Sequence, residues 1–279
     1  MKKNNYLHKV LEFVEKISNI FCNLFNVRVL ILPFSTLHSL KPTFRADGLI
    51  TSHTVNFQED PNFSASLNFV RTQVDHGLYH EYRIYIFMKL AEQASKMHNS
   101  VFVECGVGEG TMMLMAHHFL NNFSPTCYLV DTYEGPDLSQ LSEHEMGGME
   151  PEERRLQFLK SYERSTITDI QEKFSNKNNV NIVQGSVPSI FSEKSEIFSD
   201  LKVNFLHIDM NNAEPEYQAL KFFYDKMTCP GIILLDDYSF QGLRQQKDKL
   251  DVACKELGID EPISLPTGQG LILKVVERN

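Results

Sequence analysis

The chain has 279 residues, of which 42% are hydrophobic and 23% charged. That is enough for one full α/β core with an N-terminal extension. A formal net charge of −9 disfavours nucleic acid as the main partner, because a polyanion is held by basic surface. The five cysteines, Cys22, Cys105, Cys127, Cys229 and Cys254, lie far apart without CxxC spacing, which suits reduced thiols in a cytoplasm and disfavours structural zinc.

Residues 1–95 read as a helical and irregular extension. Val10, Val14, Ile17, Phe21 and Leu24 form one helical stripe, with Glu12, Glu15 and Lys16 on other faces. Those charges and the lack of a small-residue cleavage site argue against a signal peptide, and no uncharged run reaches spanning length. A packing helix or a homo-oligomer contact is the expectation. Lys2, Lys3, Lys9 and Lys16 are too few to hold it on a membrane surface. Residues 33–68, rich in Ser, Thr, Asn and Pro and without periodicity, predict irregular structure. Residues 70–94 are helical in pattern and place His76 and His80 at i, i+4 on one face. A third ligand is not apparent nearby in sequence, and such pairs arise readily by chance.

From residue 96 to 279 strands and helices alternate. Val101-Phe102-Val103 ends in Glu104-Cys105 and meets Gly106, Gly108 and Gly110, after which Thr111 opens an apolar helix over 112–123. A strand, a glycine turn and a helix N-terminus let a nucleotide-like ligand approach the backbone. An ordinary tight turn is the alternative. The third glycine of a dinucleotide fingerprint falls on Thr111, and no Lys-Ser/Thr pair follows, so NAD, FAD and a phosphate-cradling loop are disfavoured. The strand at 127–130 ends at Asp131, placed to accept hydrogen bonds from a ribose diol or else to face water.

An insertion at 133–150, with Gly-Pro, Gly-Gly and several acids, reads as a lid, and Pro151-Glu152-Glu153 starts a helix. A third strand at 180–183 closes with Gln184-Gly185-Ser186, where a glycine admits a flat ring. A fourth strand ends at Asp209. A helix over 213–227, a turn at Pro230-Gly231 and a fifth strand at 232–235 lead to Asp236-Asp237. A helix over 241–257 and a hairpin of 263–265 with 271–276 complete the chain. Repeated βα units predict a parallel, doubly wound sheet with ligands outside the carboxyl ends of its strands.

If the strands ending in Asp209 and Asp236-Asp237 are neighbours, their ends lie about 5 Å apart. Three carboxylates that close are costly unless a cation or protons compensate, and hard oxygen ligands suit Mg²⁺ or Ca²⁺. The competing expectation is a helix cap and a solvated acid.

The order Glu104-x-Gly106-Val107-x-x-Gly110, Asp131-Thr132-Tyr133-Glu134-Gly135, Asp209, and Pro230-Gly231-Ile232-Ile233-Leu234-Leu235-Asp236-Asp237-Tyr238 resembles the class I S-adenosylmethionine-dependent methyltransferases. More narrowly it is similar to the macrocin O-methyltransferase (TylF/MycF) family, over residues 101–276. The resemblance implies a Rossmann-like, seven-stranded sheet with its last strand antiparallel. It implies adenosylmethionine with its methionine end against Glu104, Gly106 and Gly108, its ribose on Asp131 and its adenine beside Gly185 and Ser186. It also implies Mg²⁺ on Asp209, Asp236 and Asp237. Asn211 and Ala213 stand where that family tends to carry a second acid and a Tyr.

The expected activity is methylation of a small-molecule hydroxyl, with a sugar, glycoside, catechol or other diol leading. Asp209 is expected both to ligate the metal and to take the proton. A catalytically silent adenosylmethionine-binding module and a metal-independent N- or C-methyltransferase are the alternatives.

Overall fold

The computed structural model describes residues 43–46, 48–75, 80–161 and 165–275. The chain divides into two compact units: residues 1–43 with 51–54, and residues 44–50 with 55–279. The first is described only at 43 and 51–54. The N-terminal helix, its oligomer contact and His76 therefore lie outside the described residues.

The second unit is built on a seven-stranded sheet. Its strands are β1 (Val101–Cys105), β2 (Thr126–Asp131), β3 (Val180–Gln184), β4 (Val203–Ile208), β5 (Met227–Leu235), β6 (Ile263–Ser264) and β7 (Gly270–Lys274). They lie in the order β3-β2-β1-β4-β5-β7-β6. The first five pair in parallel, and β7 runs antiparallel to both β5 and β6. The Rossmann-like sheet with an antiparallel last strand is thus observed.

Strands covered on both faces must be apolar throughout, and all six residues of β4 are buried. Successive side chains alternate between two cores. Phe102 and Phe205 pack with helices α1 (Pro61–Arg71), α2 (Glu81–Ser95) and α3 (Thr111–Phe119). Val103 and Leu206 pack on the other face with α5 (Ala213–Tyr224) and α6 (Arg244–Leu257). Between them in sequence, the insertion carries a short helix α4 (Glu143–Met146).

Several elements differ from the sequence expectation. Residues 33–68 are not all irregular, since α1 begins at Pro61, where Asp60 caps it by accepting the N–H groups of Asn62 and Phe63 at 2.8 and 3.2 Å. An acid followed by Pro at the first helical position is a start signal that composition alone conceals. The helical pattern over 70–94 belongs to two helices, α1 ending at Arg71 and α2 starting at Glu81. The helix expected over 112–123 ends at Phe119, and that expected over 213–227 ends at Tyr224. Pro230 and Gly231 lie inside β5. Pairing with β4 jumps there from Val203–Met227 to Phe205–Ile232, and such an irregularity tolerates a residue without an N–H.

The insertion is tied to the body. Ser142 and Glu145 form a capping box at α4, and the same Glu145 accepts the Ala213 N–H at the start of α5, 2.8 Å away. Among the described residues no helix is long and apolar enough to cross a membrane.

Candidate active site

The carboxyl ends of β1, β2, β4 and β5 surround one cavity of about 250 Å³. All six residues predicted to hold a cofactor, Glu104, Gly106, Gly108, Asp131, Gly185 and Ser186, line it. Asp209, Asp236 and Asp237 line it as well, with His80 at its rim.

Gly106 sets the floor. Its N–H donates to Val130 O at 2.9 Å, and Asp209 N–H donates to Cys105 O at 2.8 Å, so the ends of three strands are stitched together. A Cβ on Gly106 would lie 1.8 Å from Asp209 O, which only a residue without one can satisfy. Asp131 braces the turn that follows: its Oδ2 accepts the N–H groups of Val107 and Gly108 at 2.7 and 3.2 Å, and its Oδ1 that of Tyr133 at 2.8 Å. The acid expected on a ribose therefore organises the glycine turn, and with Thr132 Oγ1 also donating to its Oδ1 at 3.4 Å most of its acceptor positions are taken within the protein. Gly185 N–H donates to Asp131 O at 2.9 Å. Ser186 Oγ donates to Asp137 Oδ2 at 2.7 Å and so anchors the insertion. That contact, with those from Ser139, holds Asp137 down to about 2.

Glu104 is 2% exposed and its Oε2 has no hydrogen-bond partner. A buried, unpaired acceptor on a residue that lines the cavity fits a cationic donor such as the ammonium group of adenosylmethionine. Its Oε1 lies 3.1 Å from His207 Nδ1, across the β1–β4 register. Burial pushes the Glu104 carboxyl up, against the downward pull of His207.

The acidic end is more elaborate than three converging aspartates. β4 and β5 are indeed neighbours, so Asp209 and Asp236-Asp237 meet. Arg83, from α2, places Nη1 2.9 Å from Asp236 Oδ2 and 2.7 Å from Asp237 Oδ1, and its Nε donates to Thr267 O at 3.1 Å. Gln269 Nε2 donates to Asp236 Oδ1 at 2.8 Å. His207 Nε2 stands 3.7 Å from the same oxygen, an ion-pair separation too long for a hydrogen bond.

Loss of solvent and then the charges of Asp236 and Asp237 raise Asp209 well above the carboxylate range. Asp237 is raised by burial and by Asp236, although Arg83 opposes this. Burial would raise Asp236 too, but His207 and Arg83 override it and hold its carboxyl below the usual range. Burial alone would lower His207, yet Asp236 and Glu104 lift it to about 10. Buried Glu216 of α5, beside Asp237 and Asp209, is also raised well above its ordinary value. Four carboxyl groups, on Glu104, Asp209, Asp236 and Asp237, thus face one guanidinium and one imidazole. Carboxyl groups crowded this closely are costly without protons or a cation to compensate, and hard oxygen ligands suit a divalent ion.

Sequence reasoning missed Arg83, His207 and Glu216 as site residues. Each carried the same signal, an ionisable residue on an apolar pattern. Arg83 shares the buried stripe of Phe87, Ala91 and Ala94, and Glu216 that of Ala219, Leu220 and Phe223. His207 interrupts a wholly buried strand two residues before Asp209.

A glycine turn at a cavity on the carboxyl ends of a sheet of this order defines a Rossmann-like methyltransferase fold. Residues 103–238 match a family model described as a methyltransferase domain. The protein thus carries such a domain and is an S-adenosylmethionine-dependent methyltransferase. Among solved structures, the O-methyltransferase NovP is similar at 19% identity with a TM-score of 0.52, over 72% of this chain and 83% of that one. The calicheamicin methyltransferase CalS11 aligns at 13% identity and a TM-score of 0.46, over 76% and 93%. An O-methyltransferase from Bacillus cereus in complex with SAH aligns at 11% identity and 0.41, over 69% and 80%. No curated protein sequence matches the chain.

Proposed function

We propose that the protein transfers the methyl group of S-adenosylmethionine to a hydroxyl of a small molecule bearing a diol, such as a sugar or glycoside, with help from a divalent cation. The observation that carries this reading is the excess of buried carboxyl groups at the ends of β4 and β5, directly beside the glycine turn.

Adenosylmethionine supplies an electrophilic methyl group on a sulfonium. The residues present fit it. Glu104 Oε2 offers an unpaired acceptor for its ammonium group, Asp131 stands at the second strand end, and the Gly106 turn leaves the wall open to the backbone. An alcohol is a poor nucleophile until it loses its proton. A dication among Asp209, Asp236 and Asp237 would lower the pKa of a bound hydroxyl and fix its direction. Asp209 is the base of this scheme. Arg83 already engages Asp236 and Asp237, whereas among the described residues Asp209 Oδ1 accepts from Asn211 Nδ2, at 3.2 Å, within its own loop.

The test is Asp209→Asn, assayed with saturating Mg²⁺ or Mn²⁺ and hydroxyl acceptors. Loss of about 10²–10⁴-fold in kcat is expected for removal of a general base, with adenosylhomocysteine binding retained. Wild-type turnover in this variant would refute the assignment. One observation favours a second reading: Arg83 itself pairs with two of the three aspartates. Transfer without a metal, to nitrogen or carbon, would follow if Arg83 sufficed, and activity surviving EDTA is its signature.

A further inference from the structure

We infer that the cation is ligated by His207, Asp209 and Asp236, with Asp237 left as the counter-charge of Arg83, and that the site selects a borderline first-row ion such as Mn²⁺, Fe²⁺, Co²⁺ or Zn²⁺ over Mg²⁺. The inference rests on the metal-assisted reading above and replaces Asp237 by His207 in its donor set.

Among the described residues, His207, Asp209 and Asp236 form a group whose ligand atoms all lie within 4.8 Å of one another. Two ligands about 2.1 Å from a common ion are about 3 Å apart when adjacent and about 4.2 Å when opposite. The 3.7 Å between His207 Nε2 and Asp236 Oδ1 falls inside that span. Asp236 reaches Arg83 through Oδ2, while its Oδ1 accepts from Gln269 Nε2 and is the oxygen nearest the imidazole; Asp237 meets Arg83 through Oδ1 at 2.7 Å and is not in the group.

The imidazole points to a ligand independently of the acids. His207 is 1% exposed, and its Nε2 has no hydrogen-bond partner. An orphaned ring nitrogen in a fully buried strand is costly. Its other nitrogen, Nδ1, lies 3.1 Å from Glu104 Oε1. A carboxylate can only accept, so Nδ1 carries a proton, and a metal ion that displaced the Nε2 proton would meet a lone pair directed toward Asp236 and Asp209. A histidine whose far nitrogen donates to a carboxylate is the usual support of a metal-bound imidazole. The backbone imposes the arrangement. Glu104 and His207 are cross-strand partners in register, and Asp209 follows two residues later on the same side of the chain.

A mixed nitrogen and oxygen donor set changes the ion. Mg²⁺ prefers oxygen and near-ideal octahedral geometry, while an imidazole favours later first-row ions, with affinity rising from Mn²⁺ through Fe²⁺ and Co²⁺ to Cu²⁺ and falling again at Zn²⁺. The same strands then tie the two ligands of the enzyme together, since Glu104 borders the cavity with one oxygen and orients the metal-binding ring with the other.

The experiment is Co²⁺ binding to the full chain stripped of metal, read from visible d–d absorption and by equilibrium titration, with His207→Asn and Asp237→Asn beside wild type. Asn at 207 keeps a donor for Glu104 and removes the Nε2 ligand; Asn at 237 keeps an acceptor for Arg83. Co²⁺ affinity is expected to fall at least about 100-fold in His207→Asn, with loss of the absorption band, and to change less than about threefold in Asp237→Asn. Mg²⁺ in excess should fail to displace Co²⁺ from wild type. The reverse pattern, with His207→Asn binding normally and Asp237→Asn not, would establish an all-oxygen site and overturn the inference, as would the absence of a Co²⁺ band in wild type.

Should His207→Asn not fold, spin-echo modulation from a histidine ¹⁴N in wild-type protein loaded with Mn²⁺ decides the matter without a variant: its presence supports the ligand set and its absence overturns it. Adenosylhomocysteine binding, measured on the same samples, reports on the methyltransferase reading separately.

Discussion

Replacing Gly106 by alanine should damage the site more than any other single added methyl group at the glycine turn. The backbone there has φ +85°, which costs an L residue about 1–2 kcal/mol. The added Cβ would also sit 1.8 Å from Asp209 O, 2.4 Å from its carbonyl carbon and 2.9 Å from Met210 N. Ordinary contacts are about 3.5 Å or more, and these neighbours are backbone atoms of the segment leaving β4, so no side chain can swing aside. The ends of β1 and β4 must part, at an overpacking cost of about 1–3 kcal/mol. Together these give a loss of about 2–5 kcal/mol. Gly148 supplies the control, with φ +73° and nothing within 4 Å of a built Cβ, so Gly148→Ala carries the backbone cost alone, about 1–2 kcal/mol. Urea unfolding gives the stabilities, and calorimetry with adenosylhomocysteine gives the binding. Gly106→Ala should lose most of its cofactor affinity and Gly148→Ala should keep it. Equal stability and equal binding in the two variants would refute the reasoning.

Two further outcomes follow from the buried charges. Arg83→Met leaves Asp236 and Asp237 without their shared partner and should cost about 3–5 kcal/mol. Part of that should return with saturating Mn²⁺ in a thermal-shift assay; an unchanged melting temperature without metal would contradict the pairing. Glu216 has its folded pKa raised by burial and then by Asp237 and Asp209. Its stabilising contribution is therefore complete below the unfolded value of about 4.5 and is lost as pH rises through the folded one. Glu216→Gln keeps an acceptor for the Met210 N–H. In EDTA, its urea midpoint should exceed wild type by a margin that widens from acid to neutral pH, and a margin independent of pH would contradict the shift.

What could be read from the sequence was set by the backbone. The glycine turn after Cys105, the acids that end β2, β4 and β5, and the hairpin of the tail all follow from short-range pattern, and the cavity gathers the turn and the acids. What could not be read depends on partners distant in sequence. Arg83 reaches aspartates 153 and 154 residues away, and His207 meets Glu104 across 103 residues. No local pattern announces such a pair before the strand order is known. Asp131 shows the opposite case. Its place at the end of β2 was legible, but not that the amides of Val107 and Gly108 would claim its Oδ2, because those donors are freed only once the glycine turn has formed.

Everything proposed for this chain requires the cofactor on the Gly106 turn with a divalent ion beside it at the ends of β4 and β5. A crystal structure grown with adenosylhomocysteine and Mn²⁺, with an anomalous difference map for the metal, measures it most directly. The expected map has the ligand along Glu104, Gly106 and Asp131 and one anomalous peak within bonding distance of Asp209. A ligand seated elsewhere, or a cavity that holds adenosylhomocysteine with no peak at Asp209, would contradict it.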